Sequence, residues 1–244
     1  MVNDKVRHIV WTCFLLCMST ATNNVVAQTL SADTAAISST ETFVNERLSM
    51  AGVAMDSGNW DRASDIYKEI LSVDQHNLTA LFFLAYAEHR TGRYAFARQR
   101  YQQILELAPL HYQTRLCLTL LCEEQNRLTE AYDNANIFVG MFPDSIEVYT
   151  TRAHIEIVLD MFSPAEADLS KAIEKDATDG ESLLLRSKCR LLLGKYTEAG
   201  DDLATLYELG YREEEMEELL KYCNKRKKVK RTMLFPPLKS SDIR

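Results

Sequence analysis

Two arginine–aspartate pairs stand out among the residues of this sequence that could do chemistry. Arg152 precedes Asp168 by the same interval that separates Arg186 from Asp202. A guanidinium and a carboxylate at close range form a two-pronged ion pair, although perturbed charged groups can also mark a catalytic site. The positions that correspond to the two arginines elsewhere in the chain carry Met50, Leu84 and Leu118, and a buried charge is costly unless it is paired. The spacing therefore favours structural ion pairs over catalysis.

The common catalytic motifs are missing from the sequence. It has no glycine-rich phosphate loop, no HExxH, no G-x-S-x-G and no closely spaced cysteine pairs of the kind that bind zinc. The histidines that follow residue 27 are far apart in sequence, which argues against a metal site: His76, His89, His111 and His154. We therefore predict a protein that is not an enzyme and that needs no cofactor or metal.

Cys189 and Cys223 are 34 residues apart, and the expected packing of their helices argues against a disulfide. Equivalent positions on successive packed helices lie about 8 to 10 Å apart. A disulfide requires Cα atoms about 4.4 to 6.8 Å apart. We expect buried free thiols at these two positions, as well as at Cys117 and Cys122.

A period of 34 residues organises the chain between residues 44 and 211. An alanine recurs at this interval, preceded by a bulky apolar residue three positions earlier and by Gly, Asn or Asp two positions before that. Gly, Asn and Asp tolerate the left-handed backbone that ends a helix, so each copy should contain a turn between two helices. The alanines are Ala63, Ala97, Ala131, Ala165 and Ala199; the bulky residues are Trp60, Tyr94, Leu128, Phe162 and Tyr196; and the turn residues are Gly58, Gly92, Asn126, Asp160 and Gly194.

This pattern resembles the tetratricopeptide repeat, most clearly in residues 78–111 (LTALFFLAYAEHRTGRYAFARQRYQQILELAPLH). The resemblance implies an all-α fold, a right-handed superhelical solenoid of antiparallel helix hairpins. The five copies would span residues 44–77, 78–111, 112–145, 146–179 and 180–211. One departure recurs, because the tyrosine that the family usually places late in the first helix is replaced by Ala54, Glu88, Cys122, Glu156 and Arg190.

The resemblance also implies a binding surface. In this family, one face of each first helix lines a concave groove that holds peptides or helices. We expect Phe82, Tyr86 and Leu120 to be exposed there and to bind an unidentified protein or peptide. The alternative is that the chain's own tail or leader covers them. The predicted groove residues are Phe82, Tyr86, His89, Arg90, Gln113, Leu116, Leu120, Glu123, Glu124, His154 and Lys188.

The N-terminal segment of residues 1–27 is typical of a secretory signal. Basic residues precede an apolar stretch at residues 9–20, and small residues precede Gln28. A membrane anchor would need about 20 consecutive apolar residues. We therefore predict cleavage after Ala27 and a periplasmic or other cell-envelope location.

Two other features of the N-terminal region bear on this expectation. Lipidation at Cys17 is the alternative to simple cleavage, but Leu16 is not the small residue that a lipoprotein signal places before its cysteine. The next segment, residues 28–43, is rich in Ser, Thr and Ala and is predicted to be a flexible leader.

The C-terminal region after the repeats has its own pattern. Residues 212–228 are predicted to form a capping helix, acidic at its start and basic at its end, followed by an extended tail at residues 229–244. The basic run from Lys225 to Arg231 can simply solvate the helix end. Its alternative is a contact with an anionic membrane or an acidic partner.

The charge distribution limits the choice of partner. The whole chain has a formal net charge of −7; because residues 1–27, 28–43 and 212–244 carry +1, −2 and +4, residues 44–211 carry −10. Such an acidic body argues against nucleic acid as a partner.

These observations predict a non-catalytic scaffold of the cell envelope that binds a protein segment in its groove. One alternative is an accessory or regulatory subunit of an envelope enzyme or assembly complex, whose basic tail contacts a membrane or an acidic partner. Another is an assembly factor that uses its convex face.

Overall fold

The computed structural model describes residues 32–212 and 214–234, and these residues form eleven α-helices and no strand. The predicted signal of residues 1–27 and residues 235–244 of the predicted tail lie outside this part of the chain. The helices are α1 Ala32–Asp56, α2 Trp60–Val73, α3 Leu78–Arg90, α4 Tyr94–Leu107, α5 Tyr112–Glu124, α6 Leu128–Met141, α7 Ile146–Val158, α8 Phe162–Lys175, α9 Gly180–Leu192, α10 Tyr196–Glu208 and α11 Glu214–Leu234.

The helix starts repeat with the period of the sequence. The first helices α3, α5, α7 and α9 begin at Leu78, Tyr112, Ile146 and Gly180, the first residue of each predicted copy after the first. Each second helix begins at the bulky apolar residue that follows the turn, from Trp60 in α2 to Tyr196 in α10. The all-α repeat of helix hairpins is therefore confirmed.

The turn inside each copy has one geometry throughout. Gly58, Gly92, Asn126, Asp160 and Gly194 all adopt the left-handed backbone, with φ between 56° and 76°. In copy two, the Gly92 N–H donates to the carbonyl of His89 and the Arg93 N–H donates to that of Glu88, over 3.0 and 2.8 Å. The equivalent pair of hydrogen bonds recurs in the other four copies. These bonds satisfy the last carbonyls of each first helix, which is why the turn residues could be predicted.

The chain divides into two compact units, with the first ending at Arg127 and the second beginning at Leu128. The first unit has an aromatic core. Tyr67, Tyr101 and Ile104 are fully buried, and the Tyr67 ring stacks on Phe83 with ring centres 5.9 Å apart. Helix α3 is buried around its whole circumference from Ala80 to His89, as expected for a helix that is apolar on all sides.

The second unit ends in a capping helix. Leu183, Leu203 and Leu206 form a cluster with Met216 and Cys223 of α11. This contact covers the last hairpin, which an array of repeats needs at its end. The four cysteines of the described residues are buried and form no disulfide, in agreement with the expected thiols.

Three local expectations differ from the structure. Helix α1 starts at Ala32, so the predicted flexible leader is helical from that residue on, and α11 continues to Leu234, beyond the predicted end of the cap. The run Ser163-Pro164-Ala165-Glu166 is typical of a helix cap, with Ser163 as the capping residue, but α8 already starts at Phe162, one residue before Ser163. Glu166 instead accepts hydrogen bonds from Arg190 and Lys195, so its carboxylate is not available to the helix start.

Candidate partner-binding faces of the first helices

The predicted groove residues divide between the two units. We call the two groups the α3–α5 face, from Phe82 to Glu124, and the α7–α9 face, which contains His154 and Lys188. A given repeat position points to the same side of each first helix, because the helix bounds recur with the period of the sequence. Each face is described here within its own unit.

The apolar part of the α3–α5 face is buried, which corrects the expectation of exposed groove residues. Phe82 and Tyr86 are only 4% and 3% exposed, and Leu116 and Leu120 are buried as well. The Phe82 ring lies 5.6 Å from that of His111 and 6.3 Å from that of Tyr101. Tyr86 meets Trp60 edge-on at 6.0 Å. These aromatic residues pack against rings of neighbouring elements, a contact that the repeat spacing alone does not show.

The polar part of the α3–α5 face contains an internal hydrogen bond. His89 Nε2 lies 2.8 Å from Glu124 Oε2, which joins α3 to α5. This hydrogen bond is the main reason that the pKa of Glu124 is lowered. Arg90 is exposed, and its guanidinium lies over the Trp60 ring at 5.4 Å. Gln113 and Glu123 are half-buried on the same face.

The α7–α9 face has the opposite arrangement. At its polar end, His154 Nε2 lies 3.2 Å from Glu181 Oε1, and Lys188 is half-buried further along α9. At its other end are Val158 and Leu192, the last residues of α7 and α9, which are 51% and 64% exposed. They occupy the same repeat position as Arg90 and Glu124, so the spacing could have identified them, but the sequence analysis did not include them.

Arg152 connects three helices of the second unit. Its Nε and Nη2 donate to the two carboxylate oxygens of Asp168, over 2.5 and 2.8 Å, and its Nη1 donates to Asn136 Oδ1 over 3.0 Å. Asp168 raises the pKa of Arg152 through this hydrogen bond. The pairing follows the predicted spacing, whereas the contact with α6 through Asn136 was not foreseen.

Arg186 repeats this arrangement one copy later. It binds both oxygens of Asp202 and donates from Nη1 to Ser170 Oγ over 3.1 Å. Ser170 is the counterpart of Asn136 one repeat later, so both arginines bridge the second helix of their own copy and that of the copy before. Asp202 also accepts a hydrogen bond from Arg190 Nη1 over 2.8 Å, and Arg190 in turn pairs with Glu166.

Glu156 is a buried acid beside the Arg152 pair. It is 2% exposed, and its Oε2 has no hydrogen-bond partner among the described residues. Burial, together with the nearby charge of Asp168, raises the pKa of Glu156 to about 7. Arg152 acts in the opposite direction but lies 3.9 Å away and is already bound to Asp168. This carboxyl is the strongest candidate for a group that titrates near neutral pH.

Two other features bear on the kind of site present. Within residues 32–212 and 214–234, no group of three His, Cys, Asp or Glu side chains is arranged to hold a metal ion. None of the helices in this part of the chain combines the length and apolar character needed to cross a membrane.

Comparison with known proteins identifies the repeat. The family profile described as the tetratricopeptide repeat matches residues 48–111. A search of curated protein sequences finds no match.

Solved structures with the same fold are numerous, and three illustrate the range. PilF of Pseudomonas aeruginosa superposes with a TM-score of 0.65 at 14% identity, over 82% of this chain and 95% of that protein. MamA of Desulfovibrio magneticus RS-1 gives 0.62 at 14% identity, over 68% and 94%. YrrB, a repeat protein described as having an unusual peptide-binding site, gives 0.59 at 14% identity, over 80% and 98%. At this level of identity the similarity establishes the fold alone.

Proposed function

This chain carries tetratricopeptide repeats. We propose that it is a non-catalytic scaffold that binds a segment of another protein on the α7–α9 face. Proteins of this kind generally bind other proteins or peptides. The single observation that supports this choice of face is the exposure of Val158 and Leu192. Apolar side chains at matching positions of two successive first helices form an exposed strip that a partner can cover.

The surroundings of this strip define the partner's chemistry. Ile157 and Leu191, one residue before Val158 and Leu192, are partly buried and pack into the core clusters, which gives the strip a fixed base. The polar end of the same face carries His154 and Lys188. We therefore propose an extended or helical segment with apolar side chains at one end and polar or acidic ones at the other.

The contrast with the α3–α5 face supports this assignment. Phe82 and Tyr86 are already in contact with other aromatic rings, so a partner would gain little apolar burial there. Arg90, stacked on Trp60, and Glu124 are the exposed polar residues of that face that a partner can contact. YrrB provides a precedent for peptide binding by a protein of this fold, in the words of its description.

A cell-envelope location is part of the same proposal. It rests on residues 1–27, whose basic start, apolar stretch and small residues before Gln28 are typical of a cleaved signal. Fractionation of cells that produce the full chain, with mass spectrometry of its N-terminus, tests this part. Recovery from the envelope with Gln28 as the first residue is the expected result. A cytosolic chain that retains residues 1–27 would contradict it.

The binding proposal is tested by affinity capture with a pair of variants. Val158→Asp with Leu192→Asp places charge in the exposed strip, and because both side chains are largely exposed, the fold should be preserved. The matched control is Val73→Asp with Leu107→Asp, which changes two side chains on second helices that are 51% and 46% exposed. Circular dichroism establishes that all three proteins are folded.

The expected result is a partner that is retained by the native chain and by the control, and lost from the Val158/Leu192 variant. Loss of one apolar anchor typically weakens binding by about 1 to 2 kcal/mol, so two should reduce affinity by about a hundredfold. Equal capture by both variants would remove the α7–α9 face from consideration. Partner loss from the Val73/Leu107 control instead would move the site to the second helices.

A further inference from the structure

Helix α11 continues well past its last described contact with the core. Cys223 is its last buried residue in the part for which side chains are described, and Asn224, Lys225 and Arg226 are exposed. The helix nevertheless continues to Leu234. We call residues 221–234 the basic helix end. It begins at the edge of the last core cluster, which contains Cys223.

The charge of this segment is opposite to that of the rest of the molecule. Seven Lys and Arg residues fall between positions 221 and 231, and no Asp or Glu occurs between Glu218 and Asp242. The repeats at residues 44–211 carry −10. The nearest acids in sequence, Glu217 and Glu218, lie before the start of the run, and Glu217 pairs with Lys221 over 3.8 Å.

Apolar residues occur beside and directly after the basic run. Met233, Leu234, Phe235 and Leu238 follow Arg231 in sequence. Within the described side chains, Tyr222 is exposed, meets Tyr196 edge-on at 6.1 Å and accepts a hydrogen bond from Arg226 Nε over 3.1 Å. The Arg226 guanidinium lies 5.2 Å from the centre of the Tyr222 ring. This places an aromatic ring and a cation together on the surface, a combination that suits a boundary between water and an apolar phase.

We propose that the basic helix end docks this protein on a membrane surface that contains anionic lipid. Stable attachment without a spanning helix takes two signals, a polybasic segment and an apolar one, and this segment has both in sequence. An acidic protein partner would be attracted by the same cations, but it would not account for the apolar residues that follow them. The acidic repeats are repelled by the same lipids, so contact is limited to the C-terminal end, and the α7–α9 face remains available to a partner.

The test measures vesicle binding by a chain that starts at Gln28, which keeps every described helix and removes the apolar stretch of residues 9–20. Mixed phosphatidylglycerol/phosphatidylcholine vesicles are compared with pure phosphatidylcholine vesicles by co-sedimentation. The variant is Lys225→Gln with Lys228→Gln and Lys230→Gln, which leaves Arg226 and its contact with Tyr222 in place. The matched control is Arg62→Gln with Lys68→Gln and Arg127→Gln, three exposed cations of the repeats.

The native chain and the control are expected to bind the anionic vesicles and not the neutral ones. Each cation near the surface contributes about 1 kcal/mol, so removing three should reduce partitioning by roughly a hundredfold. Binding should fall in about 1 M salt, where the Debye length is about 3 Å. Phe235→Ser should weaken what remains at that salt concentration, because the apolar contribution is not screened.

Three outcomes would overturn the proposal. The first is that the native chain does not bind anionic vesicles at low salt. The second is equal weakening by the variant and the control, which would show a response to net charge alone. The third is binding to soluble polyglutamate without binding to vesicles, which would assign the basic helix end to an acidic protein. Circular dichroism of each variant separates these results from loss of folding.

Discussion

The two units build the same hairpin with different chemistry at equivalent positions. Where the second unit places Arg152 and Arg186 on its first helices, the first unit has Leu84, which is fully buried, and Leu118. The first unit is held together largely by aromatic and aliphatic packing, whereas the second contains a chain of bidentate ion pairs. The repeat therefore fixes the backbone and the turn, whereas the contacts that hold neighbouring helices together can be either apolar packing or ion pairs.

The same contrast extends to the candidate binding faces. The α3–α5 face has its aromatic residues early in the helices and its His89–Glu124 pair at the end. The α7–α9 face has its His154–Glu181 pair before its apolar residues, Val158 and Leu192, which end the two helices. Successive copies of one repeat thus present different surfaces, which allows one face to be closed by its own packing and another to bind a partner.

The largest effect is expected when one side of an ion pair is removed. Arg152→Met leaves Asp168 buried without its bidentate partner and with only the more distant, half-exposed Lys171 at 3.8 Å, which should destabilise α7 and α8 by about 3 to 5 kcal/mol. Thermal unfolding and hydrogen exchange of α7 and α8 measure the loss. The double variant Arg152→Met with Asp168→Ile has the residues that copy one carries at these two positions, Met50 and Ile66. It should regain most of the lost stability, because no unpaired charge is left buried. A melting temperature unchanged in Arg152→Met would show that the pair contributes nothing.

An intermediate effect is expected from pH at Glu156 in the second unit. Burial raises the pKa of Glu156 from its ordinary value of 4.5 to about 7. The folded state therefore binds a proton more tightly than the unfolded state, so the stabilising contribution is complete below about pH 4.5 and is lost as the pH rises through about 7. The full change corresponds to about 3 kcal/mol.

Hydrogen exchange of α7 and α8 across this pH range measures the change, and Glu156→Gln is the test variant. Because the glutamine stays neutral, the fall in stability between pH 4.5 and 7 should largely disappear. Glu88, a buried glutamate at the same repeat position in α3, pairs with Arg100 over 2.8 Å and provides the comparison in the first unit. A pH response of the same size in Glu156→Gln and in the native chain would exclude Glu156 as its source.

The smallest effect should be equal in the two units, because it concerns the turn that they share. Gly92 and Gly194 have φ of 76° and 73°, and a Cβ at either position meets no other atom within 4 Å. Gly92→Ala and Gly194→Ala should therefore each cost about 1 to 2 kcal/mol through backbone strain alone. Denaturant unfolding measures both. A clearly larger loss in one unit would show that the turn is coupled to the surrounding packing.

The repeat period was sufficient to predict the hairpins, their turns and the free thiols. These features depend on local rules, since the left-handed turn needs Gly, Asn or Asp and the helix contact needs a small residue. The start of α1 was not predicted, because a Ser/Thr/Ala-rich segment carries no strong helical period. The ion pairs followed from spacing because both partners belong to one hairpin of fixed geometry.

The burial of Phe82 and Tyr86 could not be derived in this way. It depends on Trp60, Tyr101 and His111, which lie in other helices or in a connection between copies, and whose side-chain directions the period does not specify. The same holds for Asn136 as a third partner of Arg152, and for the unpartnered Oε2 of Glu156.

The repeat and the hairpin follow from residue types at fixed spacing, and the charge difference between the repeats and the C-terminal end follows from residue types alone. All three can therefore be predicted from the sequence. Packing in three dimensions sets which apolar residues of the first helices are exposed. It also leaves Oε2 of Glu156 buried without a hydrogen-bond partner among the described residues. Exposure and pKa depend on what neighbouring helices place against a side chain, and that information is not contained in the period.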